Sequence, residues 1–157
     1  MVFQFGQYEV DIDVQRTKEF YSQAESVGET CPCDGCKNFE CAVDALPKSV
    51  LTFFSDLGID MKKICRCCVY CKNEDGSLLY GGFYHACGVA RKGDSAWVKV
   101  NENLAYWENT LTFSISPNFH VSVRDKADLL EEGFPMPVIQ LDILANIPWM
   151  LDTENTY

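Results

Sequence analysis

The sequence predicts an α+β fold, an antiparallel β-sheet or sandwich with two or three N-terminal helices packed on one face or end. Three observations carry that expectation. Apolar residues recur at helical spacing through the first part, about 11–63, as in Phe20, Tyr21, Ala24 and Val27. From about 64 to 147 they come instead in short β-branched and aromatic runs divided by turn residues. No helical stretch separates these later runs, and parallel strands need a crossover, so the pairing reads as antiparallel.

Residues 3–10 alternate Phe3 and Phe5 with Gln4 and Gln7, which suits a first strand interrupted at Gly6. Asp11 or Asp13 can cap the helix that follows, with Gly28 as its left-handed stop. A loop over 29–35 contains Pro32 and Gly35, and a short helical pattern runs through Phe39, Ala42, Val43 and Leu46. Pro47 starts another helix, because its missing N–H is harmless there, and Gly58 ends it. Residues 65–72 and 77–87 read as a hairpin about Asn73-Glu74-Asp75-Gly76, and Gly81-Gly82 predicts a bulge or a close backbone approach. Further strands are expected over 95–101, 111–115, 119–123 and 138–147. Trp97, Trp107 and Trp149 are expected to serve the core.

At 157 residues and 47% hydrophobic content, the chain suits one domain over 1–151, with a loose polar tail at 152–157. Its formal charge of −10 opposes phosphate backbones and anionic lipid, so nucleic acid and membrane surfaces are poor partners, and the partner is left open, another protein or a second copy among the options. No apolar run reaches the ~18 residues of a spanning helix, and the N-terminus lacks the basic and apolar regions of an export signal. A soluble, cytoplasmic protein is the expectation.

Nine cysteines are the anomaly. In a reducing compartment structural disulfides are rare, so they read as thiols. In Cys31-Pro32-Cys33-Asp34-Gly35-Cys36 the C-x-x-C spacing lets two sulfurs reach one tetrahedral Zn²⁺, with Cys31 a third ligand and Cys41, Cys87 or His85 a fourth. The alternative is redox cycling of Cys33 and Cys36 at a helix N-terminus that favours the thiolate. Asp34 opposes it, since a carboxylate disfavours a second anion beside it. The P-C-x-x-C half of the zinc deaminase signature is present, but no Cys or His precedes Cys31 to supply the other half.

The second cluster, Cys65, Cys67, Cys68 and Cys71, lies on an expected strand. Side chains alternate there, so Cys68 and Cys71 face opposite ways and cannot share a metal, and all four are expected to fill space as small hydrophobes. His85 and Cys87 sit two apart on one face and are weaker candidates for a ligand pair or a nucleophilic dyad. His120 is expected to be exposed. Phosphate-cradling glycine loops, G-x-S-x-G and H-E-x-x-H are absent, so the common catalytic motifs lend no support to an enzyme.

The segments CPCDGCKNF, YCKNEDGSLLYGGFYHACG and FPMPVIQLDILANIPWML together resemble a family of small, acidic, functionally uncharacterised bacterial proteins. That resemblance implies a single soluble bacterial domain and carries over no catalytic residue. Two functional readings follow from the residues: a non-catalytic binding or interaction domain whose cysteine loop holds structural zinc, or a thiol oxidoreductase or redox sensor using Cys33 and Cys36.

Overall fold

In the computed structural model, which covers residues 1–157, Gly6 does more than interrupt the first strand. Its φ of 55° turns the chain back, so Val2–Phe5 (β1) and Tyr8–Ile12 (β2) pair antiparallel. The Asp13 carboxylate then accepts the Arg16 N–H and opens α1, Val14–Gln23. This helix stops well before Gly28. The Ser26–Glu29 capping box restarts the chain as the one-turn helix α2, Val27–Thr30, and Gly28 lies inside it. Cys33 caps α3, Asp34–Val43, and Pro47 precedes α4, Lys48–Asp56, which ends at Gly58 with φ 80°.

The remainder is strand: β3 Arg66–Lys72, β4 Leu78–Lys92, β5 Trp97–Asn101, β6 Leu104–Trp107, β7 Phe113–Ser116, β8 Phe119–Arg124 and β9 Val138–Ile147. The chain is therefore α+β, with N-terminal helices and an antiparallel sheet in the order β1-β2-β4-β9-β8-β7. β5 and β6 form a separate pair. No helix is long and apolar enough to cross a membrane.

The spine of the sheet is β4, which runs five residues beyond its expected end at Cys87. Along one edge its first half pairs with β3 and its last residues with β2, while β9 pairs along the other edge. Between β3 and β2 the β4 backbone lacks a strand partner, and α1 supplies one. The Tyr21 hydroxyl accepts the His85 N–H at 3.2 Å and donates to the His85 carbonyl at 2.9 Å, while Thr17 Oγ1 accepts the Cys87 N–H at 3.0 Å. Buried backbone groups are thus paired without a ladder.

Alternation then sorts the two faces. Toward the helices β4 presents Tyr80 and Tyr84, and β9 presents Ile139, Leu141, Ile143 and Ala145, all buried. Phe54 of α4 packs its ring 4.9 Å from Tyr84 and 5.7 Å from Phe119, and Phe39 of α3 lies 5.4 Å from Tyr80. Each large side chain buried this way stabilises the fold by about 1.5–3 kcal/mol. The opposite face carries His85, Gln140, Asp142 and Arg124. Trp97 and Trp107 are half-buried, edge to face at 5.3 Å in the β5–β6 pair, so they stand outside the core to which their size had assigned them.

The expected close approach at Gly81-Gly82 is present. The Tyr70 ring lies on Gly81, and a Cβ on Gly82 would collide with the Arg66 carbonyl. The strand irregularity sits in the partner, between Val69 and Cys71. Gly82→Ala is accordingly expected to lose at least about 2 kcal/mol in urea denaturation, because the obstacle is backbone and cannot rotate away.

Candidate metal centre

The helix endings place the first cysteines. Cys31 ends α2 and Cys33 caps α3, so only Pro32 separates two helix termini, and Cys36 lies in the first buried turn. The three sulfurs of Cys31, Cys33 and Cys36 lie within 4.8 Å of one another. Cys31 Sγ is 3.2 Å from Cys33 Sγ, and the Cys36 N–H donates to Cys33 Sγ at 3.4 Å. Thiolates about 2.3 Å from a tetrahedral ion stand about 3.8 Å apart, so this spacing can hold a metal. All nine cysteines are free thiols.

Buried polar groups hold the loop. The Tyr80 hydroxyl donates to the Gly35 carbonyl at 2.7 Å. Asn38, fully buried in α3, donates to the Tyr80 oxygen and to the Pro148 carbonyl at 3.1 Å each, and accepts the Met150 N–H at 2.6 Å. The α3 N-terminus is thereby fastened both to the sheet and to the chain beyond β9.

The segment expected to be a loose tail, 152–157, returns to this site. The Gly35 N–H donates to the Tyr157 hydroxyl at 3.0 Å, Asn155 Nδ2 donates to the Gly76 carbonyl at 3.1 Å, and the Tyr157 ring lies 6.3 Å from Trp149. A polar composition predicted looseness, but one terminal phenol suffices to satisfy an N–H that the first turn of a helix leaves without an intrahelical partner.

Burial is the main influence on Cys33, pushing its thiol up to about 11. Cys36 is raised further, chiefly by contact with the Cys67 thiol and then by burial. Both shifts run against the lowering that a helix N-terminus favours. Cys67 is the residue that sequence reasoning left as space filler. The alternation expected for β3 holds only as far as Val69. Val69 lies so close to Gly35 that a Cβ there would stand 2.9 Å from its methyl group, and Arg66, Cys68 and Tyr70 line a cavity of about 160 Å³ on the other side. The bulge after Val69 pairs Cys71 with Leu79 and so turns it to the side of Cys68, contrary to expectation. What the pattern could not show is that the first of these faces lies against the N-terminus of α3.

The other candidates do not assemble. Cys41 is exposed and outside the trio, because five residues along a helix turn it about 140° from Cys36. Cys65 donates to the Leu129 carbonyl at 3.6 Å, and burial pushes its thiol up to about 11. His85 and Cys87 sit on the face of β4 away from the trio and cannot complete its ligand set. His85 Nε2 meets Gln140 Oε1 at 3.3 Å, its ring packs between Phe83 and Phe134, and burial lowers its pKa. Burial raises the Cys87 thiol. His120 Nδ1 pairs with Ser114 Oγ at 2.7 Å.

Comparison with protein-family models, curated proteins and solved structures gives no match.

Proposed function

We propose that the chain is a non-catalytic binding or interaction module whose Cys31, Cys33 and Cys36 thiols hold a structural zinc ion. The observation that carries this reading is the gathering of those three sulfurs within 4.8 Å at the junction of α2 and α3. Zinc suits the donors, being borderline soft and indifferent to redox chemistry. Bound there, it would tie the end of one helix to the start of the next. Asp34, between Cys33 and Cys36, weighs against the oxidoreductase reading, since exchange needs a thiolate and a carboxylate disfavours a second anion beside it. A reducing cytoplasm would keep nine thiols available, and the acidic surface suits a protein partner or a second copy better than nucleic acid or membrane.

Elemental analysis of the purified protein tests the metal. About one zinc per chain is expected, lost to a strong chelator and regained on dialysis against zinc. Zinc at trace level, with folding indifferent to chelation, would remove the ion from the proposal.

A further inference from the structure

We infer that Cys67 supplies a fourth thiolate, closing a four-cysteine centre that joins the N-terminus of α3 to the edge strand β3. The inference rests on the zinc reading above and adds to it the ligand that decides whether the centre is saturated. Three thiolates from one loop leave one tetrahedral position, which in a structural site is filled by protein and in a catalytic site by solvent.

The fold offers few groups for that position. Cys67 shares the α3-facing side of β3 with Val69, whose methyl group abuts Gly35, and it is half-buried against the core beside Cys36. It stands outside the mutual 4.8 Å grouping, on the strand that packs against α3. Rotation about its χ1 moves a cysteine sulfur by about 3 Å, a freedom by which the Cys67 sulfur would be drawn toward a shared ion. Cys41 is turned away on α3, Cys68 points into the opposite cavity, and His85 and Cys87 lie across the sheet. The Tyr157 phenol is engaged by the Gly35 N–H on the remaining side.

Closure requires no oxidant. Four thiols bind one Zn²⁺ and release four protons to solvent, with every sulfur in the same oxidation state before and after. Thirty residues lie between Cys36 and Cys67, so the ion would cross-link a long loop and bind the helical layer to the sheet.

X-ray absorption at the zinc edge of the zinc-loaded full chain reads the ligand set directly. Four sulfurs at about 2.3 Å are expected; three sulfurs with one nitrogen or oxygen near about 2.0 Å would overturn the inference while leaving the zinc reading intact. If the protein takes up no zinc, the zinc reading itself fails. Cobalt titration of Cys67→Ser adds a second readout. Its sulfur-to-cobalt charge-transfer band should lose about a quarter of its intensity, with affinity falling at least about tenfold, while Cys71→Ser matches the unaltered chain. A Cys67→Ser protein that keeps the full band and affinity would equally overturn the assignment. Should serine prevent folding, Cys67→His restores a ligand, and the expected spectrum is that of three sulfurs and one nitrogen.

Discussion

Cys36→Ser is expected to abolish zinc uptake and to lower the melting temperature of the zinc-supplied protein by about 8–16 °C. The magnitude follows from linkage: an ion that binds only the folded chain, present at a thousand times its dissociation constant, stabilises it by about 4.1 kcal/mol. In a domain of this size each kcal/mol moves the midpoint by about 2–4 °C. Cys36 is the member of the trio to choose because it is buried and in contact with Cys67, whereas Cys33 is exposed. Thermal melts with added zinc and with chelator check it. The unaltered protein should fall toward the variant on chelation, and Cys41→Ser should behave as the unaltered chain. Melting curves that ignore both the chelator and the substitution would contradict a structural ion.

The second large effect is expected on the opposite face of the sheet from the Cys31–Cys36 loop. Asp142 is 2% exposed on β9, accepts from Gln140 Nε2 at 2.8 Å, and lies against Arg124 of β8. Arg124 Nε stands 3.0 Å from Oδ2 without the alignment of a hydrogen bond, and a terminal nitrogen of the same guanidinium reaches Oδ1 at 3.3 Å and Asp128 at 2.7 Å. Burial raises the Asp142 pKa, although Gln140 and Arg124 pull it down. Arg124→Met leaves that carboxylate buried without its counter-charge, and a loss of about 3–5 kcal/mol is expected at pH 8.

The sign of the pH dependence follows from the raised folded pKa. Below the unfolded pKa of about 4 the group is protonated in both states and its ionisation costs nothing. As pH rises through the folded value, holding the buried charge costs stability, and losing Arg124 moves that value higher still. The deficit of the variant should therefore be small near pH 4 and grow toward pH 8, as read from urea denaturation at the two pH values. Equal deficits at both would assign the loss to packing of the arginine stem instead of its charge.

Where local chemistry and burial agree, the sequence was readable. β9 spans the run expected for it because every second residue from Ile139 meets the helices. The Asp13 cap and the Asn73–Gly76 turn are each decided within a few residues, the turn by Gly76 at φ 85° with Asn73 N–H bonded to the Ser77 carbonyl. β6 escaped notice for the opposite reason. Leu104 and Tyr106 are exposed, as is Val100 on its partner, so no buried face imposes a period. The candidate metal centre was legible in part: the spacing of Cys31, Cys33 and Cys36 is local, while Cys67 comes to lie near Cys36 only because β3 lies against α3. That contact depends on the register of a whole hairpin, which no short pattern encodes.

The docking of Tyr157 has a practical consequence for anyone handling the protein. A purification handle of six histidines appended there would begin beside the Gly35 N–H, and with about 3.3 Å of reach per residue its imidazoles would compete for any ion offered to the three thiols. At the other end of the chain, the Met1 nitrogen donates to Asp11 Oδ1 at 3.1 Å and to the Ile12 carbonyl at 2.8 Å, away from the three thiols. Tags belong there.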